Sequence, residues 1–302
     1  MVTRISTSHL NSTLISRIQD SSAKVASDTY RISSGFEARR YEDISTETNA
    51  LFDLKELKSN NERYIRNIDD VSARLASSEN ALQGMSDLMT DAANLWTLGR
   101  NENSAESRAT LAPKAEALTQ TFYQLFQTQF EGRYVFSGQA SENPPLNQAP
   151  TANISPGDPA PTTYYTGDPA RPSVITGENI QIPYGVTGDQ QGFADMLAGL
   201  EALWFGLENN STTEIDNAID LLTGAQSDLS DMLGEVGGQI SSLTLLKDRH
   251  ENANISINER VDDIEKADIT EAISNYSANQ AVLESSMAIL ARLQATSLLD
   301  YI

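Results

Sequence analysis

Few side chains in this sequence are suited to catalysis or metal binding. It contains two histidines, His9 and His250, and no cysteine. The histidines lie far apart in the chain. Neither has a second ligand three or four residues away, the spacing by which one helix face holds a metal. The lack of cysteine excludes disulfides, thiolate metal sites and cysteine nucleophiles. Both histidines are therefore predicted to be exposed to solvent or packed against neighbours.

The other motifs that could bind or cleave a small molecule are incomplete. Residues 185–192, GVTGDQQG, have three glycines but lack the Lys-Ser/Thr ending of a phosphate-binding loop. The acidic pair Asp262–Asp263 lacks the turn glycine of a calcium loop, and the chain has no Gly-x-Ser-x-Gly elbow. We therefore predict that the protein is not an enzyme, with no catalytic residue, no metal site and no cofactor.

Charge and hydropathy limit the possible partners. The 302 residues include 42 acidic and 21 basic side chains, which gives a formal charge of −21. Nucleic acid is excluded as a partner, because binding it requires clustered positive charge. No apolar window is long enough to span a membrane, so no membrane partner is expected. Residues 1–20 lack the apolar run of a secretory signal peptide, which leaves export without a cleaved signal open.

The elements that position these residues are divided by proline. Nine of the ten prolines lie between Pro144 and Pro183. Proline breaks helices, so this stretch is predicted to be non-helical and its flanks to form long helices. Apolar residues recur from Leu54 to Trp96 at alternating steps of three and four, the spacing of a coiled-coil stripe. The stripe is about 65 Å long at 1.5 Å per residue, which indicates a rod. The predicted rod core comprises Leu54, Leu57, Tyr64, Ile68, Val71, Leu75, Leu82, Met85, Met89 and Trp96.

Further apolar stripes run through residues 111–125 and 215–264, and short β signals lie between them. RYVFSG (133–138), TTYYT (162–166), SVIT (173–176) and NIQIPYG (179–185) are rich in β-branched and aromatic residues. The last two are predicted to form a hairpin that turns at Gly177–Glu178. The expected fold is mainly α. A long helical coiled-coil rod is built from both the N- and C-terminal regions (46–133 and 196–264), with a small antiparallel β domain inserted at 134–195.

Both ends of the chain are amphipathic. Heptad stripes are predicted near each end, and they include the polar residues Ser22, Thr29 and Gln280. Asp268-Ile-Thr-Glu271 has the pattern of a capping box that starts the last helix. The stripes are narrow, so residues 1–45 and 265–302 are predicted to be disordered in the monomer. They would pack either with each other in one chain or with other subunits, and packing between subunits is favoured. The candidate packing residues are Ile15, Ile18, Val25, Ile32, Ile273, Tyr276, Leu283, Met287, Leu290 and Leu298.

These terminal segments resemble a known family. ISSGFEARRYEDIS (32–45) and the helix after it resemble the start of flagellins. Residues 259–290, with the run Arg-x-x-Asp-Ile-Glu-x-Ala-Asp, are similar to the flagellin C-terminal region. RIST (4–7), EGRYVFSGQASENPPL (131–146) and the final SLLDYI are most like the hook-associated protein 3 branch of the superfamily. That branch is the second hook–filament junction protein. ARRYEDIS departs from the usual Asp-Asp-Pro version of the loop.

The resemblance implies a structural component of the bacterial flagellum, a junction protein that connects the hook-side junction ring to flagellin. The implied partners are other copies of the chain in a ring, the first junction protein on the hook side and flagellin on the filament side. A cytosolic export chaperone at the C-terminal helix is also implied. The chain would be exported through the flagellar type III apparatus, lie outside the cell at the hook–filament junction, and form an inner tube from its terminal helices.

Two alternatives stay open from the sequence. A filament-forming flagellin shares the same terminal patterns. A secreted helical enzyme is more remote, since some flagellin relatives become enzymes by insertion of a catalytic outer domain. The outer region here contains no histidine and no cysteine, which disfavours that alternative.

Overall fold

The protein is mainly α-helical, with two small antiparallel sheets among the residues described. The structure, a computed structural model, describes residues 2–41, 47–102, 104–146 and 164–299, with side chains described from residue 9 to residue 293 of these ranges. The helices are α1 (Val2–Ser34), α2 (Thr48–Asn101), α3 (Ala105–Ala109), α4 (Ala112–Phe126), α5 (Gln191–Glu208), α6 (Thr212–Glu265) and α7 (Ile269–Leu299). The strands are β1 (Gln129–Phe130), β2 (Arg133–Tyr134), β3 (Ser173–Gly177) and β4 (Ile180–Pro183). The predicted fold class is confirmed.

The chain divides into two compact units. One consists of Met1–Asn60 with Ala253–Ile302, and the other of Asn61–Asn252. Helices α2 and α6 each contribute residues to both units, because both helices run past the dividing positions. The division expected from the sequence, with a separate outer domain at 134–195, groups the residues differently and stays a prediction.

In the Asn61–Asn252 unit, α6 lies antiparallel to α2. Lys247 Nζ is 2.7 Å from Asp69 Oδ1, and Arg100 Nε is 2.7 Å from Asp216 Oδ1. Residue numbers therefore rise along one helix as they fall along the other. Exposed ion pairs of this kind contribute little to stability, so the pairing of the two helices depends on the apolar seam between them.

The α2 seam is largely buried. Leu54 and Trp96 are half-buried, and Leu57 is not part of the core of the single chain, since 51% of it is exposed. Heptad spacing identifies one face of a helix, but it does not say whether a neighbouring element covers that face at every turn. The buried members of the predicted set are Tyr64, Ile68, Val71, Leu75, Leu82, Met85 and Met89.

The segment between the long helices shares their hydrophobic core. Phe126 of α4 stacks on Phe136, with ring centroids 5.8 Å apart, and both rings contact Phe193 of α5. The hydroxyl of Tyr164 donates a hydrogen bond to the Gly188 carbonyl at 2.7 Å. Aromatic pairs of this kind add stability beyond their buried area. Residues within 134–195 thus pack in one continuous cluster with α4 and α5.

The predicted hairpin forms, but its turn is one residue later than expected. Strands β3 and β4 pair antiparallel, with Gly177 opposite Ile180, so Glu178 and Asn179 form the turn. Asn179 has φ 57°, a left-handed conformation that asparagine tolerates better than most residues. Gly177 belongs to the strand, at a register shift between Ile175 and Gly177. The prediction assigned the glycine to the turn, and Asn179 takes that role instead.

The other β predictions are only partly correct. Of RYVFSG, Arg133–Tyr134 form strand β2, which pairs with β1. In TTYYT, Tyr165 forms an isolated antiparallel bridge with Leu146, and residues 162–163 lie outside the described part of the chain. Aromatic residues of both segments pack into the core next to α4 and α5. A high β propensity does not distinguish such packing from the pairing of strands.

Candidate assembly interface

Helices α1 and α7 pack along each other in the unit formed by the two ends of the chain. Small and polar residues are buried where these helices meet: Ser21 and Asp28 on α1, Ala272 and Ser286 on α7. Half-buried apolar residues flank them on both helices. These are Ile18, Val25, Ile32, Tyr276, Leu283 and Leu290. The helix pair therefore covers its small residues most completely and its large apolar residues only in part.

The buried stripe differs from the predicted one at its polar positions. The sequence placed Ser22 and Thr29 in the α1 stripe, whereas both are exposed and Ser21 and Asp28 are buried instead. The same offset occurs on α7, where Ala272 and Ser286 are buried and the predicted Ile273 and Met287 are exposed. Steps of three and four exist in more than one register on a helix, and the helix pair of the single chain buries its polar residues in a different register from the predicted stripe.

Large apolar side chains on both terminal helices consequently stay about half exposed beside the helix pair. Met287 is 49% exposed and Ile289 is 50% exposed. Further apolar side chains of similar exposure are Leu10, Ile15, Ile273 and Val282. Apolar side chains with this exposure are available for contact with another chain. We call these six residues the outward apolar set. Leu298 lies in α7, but its side chain is outside the part of the structure that is described.

One buried charge lies between the two helices, and the sequence did not reveal it. Asp28 is 5% exposed, and its Oδ2 accepts a hydrogen bond from Asn279 Nδ2 at 2.8 Å. A buried carboxylate needs such a donor, because removal from water without one is costly. The only sequence signal was the seven-residue spacing of Ser21 and Asp28, which resembles a polar stripe on an exposed helix face.

The breaks that end α1 and separate α6 from α7 lie side by side. Phe36 and Lys266 form an antiparallel bridge. Glu37 N donates to the Glu265 carbonyl at 2.8 Å, and Ala267 N donates to the Gly35 carbonyl at 3.0 Å. Gly35 has φ 75°, a conformation that glycine adopts without steric cost. This backbone pairing fixes the end of α1 relative to the start of α7.

Side chains support this junction. Asp268 caps α7, since its Oδ1 accepts from Thr270 N at 2.8 Å and from Glu271 N at 3.1 Å, as the predicted capping box requires of its first residue. Lys55 forms an ion pair with Glu265. Its hydrogen bond to Glu265 raises the pKa of Lys55, against a smaller opposing effect of burial. The junction is therefore held by backbone bonds, a cap and an ion pair of opposite charges.

This arrangement can hold helices and present apolar surface, and the side chains of Asp28, Asn279, Asp268, Lys55 and Glu265 take part in structural bonds. In the described part of the chain, no three His, Asp or Glu side chains are grouped so as to hold a metal ion. Among the same residues, no helix has the length and apolar character needed to cross a bilayer.

Comparison with known proteins places both ends of the chain in one family. Residues 5–141 match the bacterial flagellin N-terminal helical region, and residues 212–302 match the bacterial flagellin C-terminal helical region. The chain belongs to the flagellin family. The two matched regions contain all of α2, α6 and α7, the junction, and all of α1 except its first three residues.

One relative is similar over nearly the whole chain, and two solved structures are similar over about 70% of it. Flagellar hook-associated protein 3 of Salmonella typhimurium is 24% identical over 314 residues, covering 98% of both chains. Among solved structures, a flagellar hook-associated protein from Vibrio parahaemolyticus aligns with a TM-score of 0.62 and 18% identity, over 72% of this chain and 97% of that chain. FlgL of Bacillus cereus aligns with a TM-score of 0.58 and 17% identity, over 68% of this chain and 97% of that one. These structures share the fold of the flagellin-family chain.

Proposed function

We propose that this flagellin-family chain is a structural component of the bacterial flagellum, a hook–filament junction protein that connects the hook-side junction ring to flagellin. The observation that carries the proposal is the outward apolar set on α1 and α7, which the chain itself leaves uncovered. The similarity to hook-associated protein 3 over 98% of both chains supports this position in the flagellum.

The geometry suits assembly because the terminal pair buries small and polar residues most completely and leaves several large apolar side chains about half exposed. Each half-exposed side chain gains about 1 kcal/mol when a neighbouring subunit covers it. A ring of identical subunits repeats that gain at every contact, because the same faces meet at each step around the ring. The buried Asp28–Asn279 bond meanwhile keeps the two helices of one chain in register.

The partners of the proposed junction follow from this position. They are other copies of the chain in a ring, the first junction protein on the hook side and flagellin on the filament side. A cytosolic export chaperone would cover the C-terminal helix before export through the flagellar type III apparatus. The exposed Ile273, Val282, Met287 and Ile289 on α7 support a need for such cover. The assembled protein would lie outside the cell, with both termini in the inner tube.

A filament-forming flagellin is the second candidate, because both matched regions are flagellin regions. It would use the same outward faces to build a long filament rather than a ring. We favour the junction role, since the hook-associated relative matches from end to end. A structural role also agrees with the names of these relatives, and we propose no enzymatic activity.

Deletion of the gene, followed by electron microscopy of hooks, separates the two candidates. We expect hooks without filaments and monomeric flagellin in the medium, with filaments restored when the gene is supplied in trans. Filaments of normal length on the deletion strain would contradict the junction role. Loss of all filament protein from hooks and medium alike would instead favour the flagellin itself.

A further inference from the structure

Arg74 on α2 is a half-buried cation with few partners in the single chain. Its Nη2 donates a hydrogen bond to the Tyr134 carbonyl of strand β2 at 2.7 Å. A guanidinium carries five N–H donors and keeps its charge in proteins. Among the described residues, this carbonyl is the only acceptor of a side-chain hydrogen bond from Arg74, and no carboxylate forms an ion pair with it. Most donors of the guanidinium are therefore not used within that part of the chain.

The two other half-buried arginines of the Asn61–Asn252 unit have fuller sets of partners. Arg171 donates to both carboxylate oxygens of Glu235. Arg108 donates to two backbone carbonyls and to the Asn210 side-chain oxygen. Burial of a charge is costly unless an opposite charge and hydrogen bonds compensate for it. Of these three arginines, Arg74 is the one that the chain itself compensates least.

A second arginine adds positive charge at the same place. Arg133 precedes Tyr134 in strand β2, within the segment EGRYVFSG, and it is exposed. Burial lowers the pKa of Arg74, the nearby Tyr184 phenol opposes this shift, and the Arg133 guanidinium adds to it. The last effect is the repulsion between two like charges. We call Arg74 and Arg133 the arginine pair.

Carboxylates close in the sequence do not neutralise the arginine pair. Asp70 precedes Arg74 by four residues on α2, Glu131 precedes Arg133 by two residues, and both acidic side chains are exposed. Within the described part of the chain, neither forms an ion pair with an arginine. The planar fork of a guanidinium matches a carboxylate in two parallel hydrogen bonds, which makes such pairs strong and directional. The arginine pair is therefore suited to a carboxylate from another chain.

We propose that Arg74 and Arg133 bind a carboxylate of a neighbouring copy of this chain in the assembled flagellum. This inference rests on the assembly role proposed above. The chain has 42 acidic and 21 basic side chains, so each copy presents more carboxylates than it can pair. Charge complementarity thus favours a second copy as the partner. In a ring, one patch of each subunit meets a different patch of the next, so the same ion pair would recur at every contact.

Uncharged variants separate this role from a structural role in the monomer. Arg74→Gln keeps an amide donor for the Tyr134 carbonyl but removes the charge, and Arg133→Gln removes the exposed charge. We expect the melting temperature of the purified full-length chain to stay unchanged or rise, because each variant removes a cation without a carboxylate partner. Supplied to a deletion strain, either variant should lower the number of filaments counted by electron microscopy by about tenfold or more.

Arg249→Gln is the matched control, because Arg249 is an exposed arginine on α6 of the same unit. It should show normal melting and normal filament numbers. Normal filament numbers with both Arg74→Gln and Arg133→Gln would overturn the proposal. So would a large fall in the melting temperature of Arg74→Gln combined with normal filaments for Arg133→Gln, since Arg74 would then serve the packing of the monomer.

A carbodiimide crosslink identifies the partner carboxylate. Arg133→Lys keeps the charge and supplies an amine. A carbodiimide-activated carboxylate in contact with this amine forms an amide bond, and the carbodiimide leaves as a urea. In isolated flagella, we expect covalent dimers of Arg133→Lys on a denaturing gel, above the background set by Arg249→Lys. Mass spectrometry of the digested dimer should find residue 133 joined to an Asp or Glu of the second copy.

The crosslink tests the inference separately from the junction role. Covalent dimers would form whether the copies make a junction ring or a filament, whereas deletion of the gene decides between those two assemblies. Dimers no more abundant than in Arg249→Lys would refute the arginine pair as a contact between copies. Links from residue 133 confined to the monomer band, for example to Glu131, would refute it as well, because the carboxylate would then come from the same chain.

Discussion

The side chain of Glu201 on α5 is half-buried. The hydroxyl of Tyr123 on α4 donates a hydrogen bond to Glu201 Oε1 at 3.4 Å. Burial raises the pKa of Glu201 from 4.5 to about 7, against a smaller lowering by the Tyr123 hydrogen bond. Burial likewise raises the pKa of Tyr123. A carboxyl whose pKa is higher in the folded state destabilises the fold wherever the unfolded state has already lost the proton.

We therefore expect the free energy of unfolding to fall as pH rises from about 4.5 to about 7, because Glu201 loses its proton in the unfolded chain over this range and keeps it in the folded chain. Glu201→Gln should remove this fall and stabilise the protein at pH 8 by about 1–2 kcal/mol, a value reduced for contact with solvent. Denaturant unfolding at several pH values measures it. Glu208→Gln on the same helix is exposed and serves as the control. An identical pH dependence in wild type and Glu201→Gln would refute the prediction.

Leucines along α2 differ sharply in burial although they share one predicted stripe. Leu75 and Leu82 are 0% exposed, and Leu57 is 51% exposed. We expect Leu75→Ala or Leu82→Ala to cost about 2–5 kcal/mol, because each leaves a cavity. Leu57→Ala should cost less than about 1 kcal/mol in the monomer. Thermal or denaturant melting compares the three, and equal losses would show that α2 is packed in another register.

At the scale of elements, the sequence predicted the long helices well because their apolar residues keep one spacing over many turns. Proline and glycine also indicated the non-helical segment, because each acts on the backbone at its own position. The hairpin turn was predicted one residue too early, because glycine and asparagine both favour turns. Only the register shift between the strands shows that Asn179 lies in the turn and Gly177 in strand β3. That shift depends on tertiary contacts, which a local pattern does not contain.

The terminal helices were less predictable from their sequences. Their stripes contain serine, threonine, asparagine and alanine, which fit both buried and exposed positions. The register in which Asp28 meets Asn279 depends on the partner helix and on the Gly35–Ala267 pairing. The predicted residues Ile15, Ile273 and Met287 lie on these helices and stay about half exposed in the single chain, so their packing between subunits stays a prediction.

The state of these two helices in solution is a prediction about whole elements. The α1–α7 contact covers its large side chains only in part, and helices in proteins gain most of their stability from the packing of an apolar face. We expect residues 9–34 and 269–293 of the monomer to exchange amide hydrogens much faster than residues 64–89 of α2. Hydrogen exchange with mass spectrometry compares both regions in one sample, so α2 is an internal control. Comparable protection in both would mean that the terminal pair is stably folded before assembly.

At the scale of the whole molecule, charge and apolar surface oppose each other. A formal charge of −21 keeps separate copies apart at long range. The outward apolar set favours their association at short range, where burial of apolar area exceeds screened repulsion. Such a balance keeps free chains soluble while allowing tight packing once they are aligned. Assembly should accordingly depend on the outward apolar set far more than the stability of the Asn61–Asn252 unit does.

Ile273→Asp and Met287→Asp test this dependence. Both residues are about half exposed, so the substitutions should leave the melting of the Asn61–Asn252 unit unchanged. In an assembled flagellum the same carboxylates would be buried without partners, at a cost that weakens association by at least about tenfold per contact. Ala278→Asp is the control, because Ala278 is an exposed small residue on the same helix and adds the same charge. Each variant is supplied to a deletion strain, and filaments are counted by electron microscopy.

Normal filament numbers with Ile273→Asp and Met287→Asp would show that the outward faces stay uncovered after assembly. A lowered melting temperature of the Asn61–Asn252 unit would show instead that these faces stabilise the monomer.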